Sequence, residues 1–172
     1  MDNTLDETLF DIAAEVFEDL AFVLAMPEEE GFEHEDCPDD DMLLASIEFT
    51  GPFGGTLFLK VANELLPMLA ANMLGLEDDE TPSPEEEQDA FKELLNVICG
   101  NLLPKIAGDE VVFHVGGAKT VEDNRMPETC GDQKLVGTAR FDLELGNAQL
   151  ALFSDTESLS ECGSPDGELT PS

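Results

Sequence analysis

At 172 residues, 42% of them apolar, the chain is long enough for one domain with a real core. Seven basic residues stand against 40 acidic ones, a formal charge of −33, and a surface of that sign repels nucleic acid and anionic lipid. No apolar run reaches transmembrane length, Met1-Asp2-Asn3-Thr4 lacks the basic start of a signal peptide, and four scattered cysteines without a C-x-x-C suit free thiols in a reducing cytoplasm.

The first predicted element is an amphipathic helix from about Leu5 to Ala25. Thr4 and Glu7 offer a capping box, and Leu5, Leu9, Ile12, Val16, Leu20 and Val23 recur at threes and fours. Pro27 is expected to end it. Residues 28–41 form an acidic loop in which His34, Cys37 and nearby carboxylates match neither a zinc spacing nor a calcium loop, so no metal site is read there.

From Leu43 to Thr50 the side chains alternate, with Leu43, Ala45, Ile47 and Phe49 on one face. G-P-F-G-G at 51–55 is a turn, and Thr56 to Val61 is the partner strand of a hairpin. Asn63 is placed to cap a helix whose Pro67 falls in the tolerant first turn and which Gly75 stops. A second acidic linker at 77–82 leads to the longest element.

That element runs from Ser83 to Gly108. Ser83 and Glu86 make an S-x-x-E capping box around Pro84, and Lys105 and Gly108 mark the C-terminal end. Phe91, Leu94, Leu95, Ile98 and Leu102 supply the buried stripe. A second stripe, Asp89, Glu93, Asn96 and Gly100, is spaced by four, three and four residues and shares one face. It offers two carboxylates, an amide and a bare patch of backbone. Pro104 has no N–H for the Gly100 carbonyl, so a kink is expected there. In the first helix Asp11-x₃-Glu15-x₂-Glu18 is a weak echo of this pattern, with glutamate in place of the amide.

Beyond Gly108 the sequence predicts a short strand at Val111–Val115, a loop from Gly116, and a closing hairpin. Its strands are Arg140–Leu145, with Phe141, Leu143 and Leu145 inward, and Ala148–Phe153, joined by a turn at Gly146-Asn147. The small acidic residues after Ser154 read as a disordered tail. The expectation is therefore an α+β domain over 1–154, two long helices packed on one side of a largely antiparallel sheet, followed by a tail at 155–172.

The D-x₃-E-x₂-N pattern followed by I-C-G-N resembles the signature helix of the CheC/CheX/FliY chemotaxis phosphatases and is most similar to CheX. I-E-F-T-G-P-F-G-G-T-L-F-L-K-V and the following A-N-M-L-G-L resemble the same family's hairpin and helix, and the order of elements agrees from roughly Leu5 to Phe153. The resemblance implies the CheC/CheX-like α/β fold and dephosphorylation of a phosphorylated CheY-type receiver domain. It gives Asn96 the role of orienting water and has Glu93 engage a lysine of the receiver. Asp89 and Gly100 would then belong to the docking face. An amide suits that task because it both donates and accepts hydrogen bonds and carries no charge. The chain would need no cofactor of its own, since the receiver brings Mg²⁺. The first helix lacks an intact E-x-x-N, which in family terms means one active helix per chain. The loop G-G-A-K-T-V at 116–121 lacks the proline that the family pattern places after the helix. A homodimer and a cytoplasmic location are also implied.

Two other readings remain open at this stage, a receiver-binding adaptor without catalysis and a self-associating signalling module. A classical hydrolase has little support, since the chain has no G-x-S-x-G or P-loop motif and its two histidines, His34 and His114, are too few and too poorly placed for a triad.

Overall fold

The computed structural model describes residues 4–27, 42–77, 79–108, 110–121, 127, 130–143 and 146–155. Three helices, α1 (Thr4–Ala21), α2 (Leu66–Leu74) and α3 (Pro84–Ala107), accompany seven strands. The strands are β1 (Met26–Pro27), β2 (Met42–Thr50), β3 (Gly55–Ala62), β4 (His114–Val115), β5 (Lys119–Thr120), β6 (Lys134–Leu143) and β7 (Gly146–Ser154). They make one antiparallel sheet in the order β1-β6-β7-β3-β2-β4, with β5 also pairing to β2. The expected acidic loop at 28–41, with His34 and Cys37, and the tail from residue 156 lie outside the described residues, as does the side chain of Thr4.

All three helices pack on one face of this sheet. Leu9, Val16 and Phe17 of α1 and Phe91, Leu95 and Ile98 of α3 meet Ile47, Leu57, Leu59 and Leu152 in one continuous core. Phe10 stacks on Phe141 with ring centroids 4.9 Å apart, and Phe17 meets the same ring edge-on at 5.8 Å. The other face carries a smaller cluster, Leu44, Phe58, Ala151 and Phe153. The alternation expected for the first hairpin holds, with Ala45, Ile47 and Phe49 in the main core, Leu43 packed against it and Leu44 in the smaller cluster, but the second face is covered as well. β3 sits between two neighbours and is buried along its whole length, and the far-side residues Ser46 and Thr56 are buried as well.

The first helix ends at Ala21, four residues short of the expectation, and Pro27 instead joins the edge strand β1 opposite Phe141. Phe22 adopts a left-handed conformation with φ of 56°. A bulky side chain there costs roughly 1–2 kcal/mol. The turn it makes lets the Val23 N–H donate to the Phe17 carbonyl at 3.1 Å and tucks Val23 and Ala25 into the core. The Asn72 amide donates to the Ala21 carbonyl at 2.6 Å, which supplies a partner to one of the carbonyls every helix end leaves open.

Other boundaries also move. Asn63 does not cap a helix. It starts a 3₁₀ turn, Asn63–Leu65, and α2 begins after Leu65 with no side-chain cap and Pro67 in its first turn. Gly75 does stop α2 as expected, in the left-handed conformation at φ 71°. Only His114 and Val115 of the expected 111–115 strand pair with β2, because Phe113 leaves the sheet line to meet Phe53 at 5.1 Å and Phe49 at 5.7 Å. Lys119–Thr120, expected as loop, pairs with Ser46 and Ala45. In the last hairpin Gly146 is paired with Leu143 and Asn147 with Asp142, so both belong to β7, and the connecting residues 144–145 lie outside the described ones.

The Asn72–Ala21 bond makes a direct stability prediction. Asn72→Ala should lower the unfolding free energy by about 1 kcal/mol, read as a lower urea midpoint at unchanged slope. Asn72→Asp should cost at least as much, because an ionised carboxylate is acceptor-only and would face a carbonyl.

Candidate functional site

α3 is built as the sequence requires. The Glu86 N–H donates to the Ser83 hydroxyl at 3.1 Å and the Ser83 N–H donates to the Glu86 carboxylate at 2.8 Å, which completes the capping box. Glu85, Glu86 and Glu87 in the first turn and Lys105 in the last complement the helix dipole. The helix runs past Pro104 to Ala107, where the Gly108 N–H closes it on the Pro104 carbonyl at 2.8 Å.

One side of α3 is buried against α1, α2 and the sheet through Phe91, Leu94, Leu95, Ile98, Cys99 and Leu102. The opposite side brings the four predicted residues together. Asp89, Glu93 and Gly100 are exposed, and Asn96 between them is half-buried. Among the described residues, none is hydrogen-bonded or ion-paired to the side chains of Glu93 or Asn96. Asp89 alone has a neighbour, Lys92, whose ammonium lies 3.7 Å from its carboxylate. The sequence reading passed over Lys92, although its spacing of three from Asp89 on a helix carries that pairing. With Asp89 77% exposed, the pair is worth little for stability.

Gly100 is informative through what it lacks. A Cβ built there meets nothing within 4 Å, so no contact inside the molecule requires glycine at this position. Glycine in a helix interior is less stable than alanine by roughly 0.5–1 kcal/mol. The flat strip of backbone is thus open to an external surface.

The residues behind this face are inert. Cys99 is fully buried and free, and burial pushes its thiol pKa up to about 12. Cys130 is also a free thiol, half-buried on the far side of the sheet. On α1, Asp11, Glu15 and Glu18 are all exposed, so the echo of the motif also faces outward. His114 lies exposed in β4. The acidic group Glu77, Asp79 and Glu80 is exposed and lies in the loop before α3.

Three helices against an antiparallel sheet, with a polar outer stripe on the longest, make an α+β domain whose fold is that of CheC/CheX structures. The particular likeness is to CheX. Residues 43–122, a little under half of the chain, match the family described as chemotaxis phosphatase CheX, and the matched span contains Asp89, Glu93, Asn96 and Gly100. Solved structures agree in fold. CheX from Desulfovibrio desulfuricans superposes with a TM-score of 0.66 at 14% identity, covering 86% of this chain and 97% of that one. The CheX–CheY–BeF3–Mg²⁺ complex from Borrelia burgdorferi gives 0.65 at 17%, covering 87% and 97%. A CheC-like protein from Shewanella gives 0.68 at 19%, covering 91% and 100%. No curated protein matches the sequence. The resemblance read in the sequence is therefore borne out, and with it the fold class. Among the described residues no helix is long and apolar enough to cross a membrane.

Two outcomes are expected. Gly100→Ala should fold normally and unfold at the same or a higher urea concentration, with a gain of up to about 1 kcal/mol. At pH 8 iodoacetamide should leave Cys99 unmodified in the native protein and label it once urea unfolds the chain, as read by peptide mass spectrometry, since a buried neutral thiol is a poor nucleophile.

Proposed function

We propose that this chain dephosphorylates the phosphorylated receiver domain of a CheY-type response regulator. The observation that carries this reading is the Asn96 amide, half-buried between the exposed Glu93 and Gly100 on the outer face of α3 and without a hydrogen-bond partner among the described residues. The match to the CheX phosphatase family supports it. So does the structural likeness to a protein solved in complex with CheY, BeF3 and Mg²⁺, in which BeF3 stands in for a phosphoryl group.

The chemistry asks little of the phosphatase. An acyl phosphate on the receiver's aspartate is already polarised by the receiver's own Mg²⁺, so the metal arrives with the substrate and the chain supplies no cofactor. What remains is to hold one water in line with the phosphorus and to exclude the others. The Asn96 side chain can accept a hydrogen bond from that water while its NH₂ group donates to a phosphoryl oxygen. Partial burial limits its rotamers, and the lack of a competing partner leaves both ends of the amide available. Glu93, one turn earlier on the same face, offers a carboxylate to a lysine of the receiver site, and Gly100, one turn later, lets the two backbones approach closely. Asp89 extends the acidic edge of the docking face, partly offset by Lys92. A substrate of this kind places the protein in the cytoplasm as one component of chemotaxis or a related two-component pathway. The pairing of two copies that the resemblance implies belongs to the same proposal, and a mass measurement in solution checks it.

The test follows phosphate loss from a phosphorylated CheY-type receiver in Mg²⁺, with and without the protein. The native chain should accelerate it. Asn96→Ala should reduce the maximal rate on the order of 100-fold with receiver binding retained, as loss of a positioning group does. Glu93→Ala should also abolish the acceleration at low concentration by weakening docking. Gly100→Ala should slow the reaction although it does not weaken the fold. Binding of the phosphorylated receiver with no change in phosphate loss would leave docking without catalysis, the adaptor reading.

A further inference from the structure

Away from α3, the turn that follows α1 combines two features that folding alone does not favour. Phe22 is held at a left-handed φ of 56°, and it points its ring into water at 72% exposure. Glycine would satisfy that backbone with no apolar surface exposed. A strained residue kept at a surface is a pointer to function. The ring does not stand alone, because Leu24 is 65% exposed and Met26 51%.

We propose that Phe22, Leu24 and Met26 form a docking surface for a partner protein segment that is apolar at its centre and basic at its flanks. The apolar centre follows from the patch. The basic flanks follow from charge, since the segment 4–27 contains no lysine or arginine and the exposed Glu18 and Asp19 stand at the patch's edge. Complementary charge steers such a segment in and rejects acidic ones. The same charge argues against a second copy as occupant. A two-fold pair would lay this patch on itself and bring Glu18 and Asp19 of each copy against like charges.

The test uses the full chain at physiological salt, where screening over about 8 Å suppresses the attraction of bulk acidity for any polycation. The probes are fluorescent peptides of alternating leucine and lysine, of alternating serine and lysine, and of alternating leucine and glutamate. The leucine–lysine peptide should bind the native chain, and Leu24→Ser and Phe22→Gly should each weaken it at least tenfold. The serine–lysine peptide should bind weakly and equally to all three proteins, and the leucine–glutamate peptide not at all. Phe22→Gly should unfold at no lower urea concentration than the native chain, so its loss of binding reports the surface rather than the fold. Equal affinity of the three proteins for the leucine–lysine peptide, or preference for the acidic one, overturns the proposal. So does sedimentation showing that the same substitutions turn a dimer into a monomer, which would make a second copy the occupant.

Discussion

The burial of one side of α3 is the constraint on which the rest depends. Phe91, Leu94, Leu95, Ile98 and Leu102 are removed from water against α1, α2 and the sheet. Each such side chain contributes roughly 1.5–3 kcal/mol of apolar transfer free energy. The helix cannot rotate or slide without exposing them, and so the outer stripe is held in a fixed position by the packing behind it. That is why Glu93 and Asn96 need no partner among the described residues to hold their places. The sheet extends this logic, since β3, covered on both faces, anchors β2 and β7 and through them the floor under the helix.

Much of this was legible in the sequence where local and global signals agree. The capping box at Ser83 and Glu86, the stop at Gly75, the first hairpin and the buried stripe of α3 each have a residue type that only one conformation explains. The parts that moved are those that tertiary pairing decides. β1 and β5 are two residues each, too short to carry a period, and exist because β6 and β2 offer them an edge. The end of α1 carries no glycine, and Phe22 takes the left-handed turn because Val23, Ala25 and the Asn72 bond outweigh its strain. Gly146-Asn147 has the composition of a turn, but pairing with Leu143 and Asp142 draws both into β7.

The site was legible in a different sense. Spacing alone placed Asp89, Glu93, Asn96 and Gly100 on one face, and the structure keeps them there. Spacing does not distinguish a docking face from a solvated one, because both are polar stripes. Under the proposed function the distinction rests on what periodicity does not encode, namely an amide half-buried with no partner among the described residues and a glycine whose absent Cβ would touch nothing.

Under the proposed function the first helix is not a second site. Asp11, Glu15 and Glu18 repeat the geometry of Asp89, Glu93 and Asn96 on an exposed face. The substitution at the third position reverses the chemistry. A glutamate at pH 7 is acceptor-only, so it cannot donate to a phosphoryl oxygen as an amide does. It also sets a full negative charge beside a phosphoryl group, where an attraction is needed, and at about 4 Å like charges repel by about 4 kcal/mol at the effective dielectric of a protein surface. Exposure along one helix face is therefore not enough. A neutral, bifunctional side chain must occupy the third position, and of the two helices only α3 supplies it.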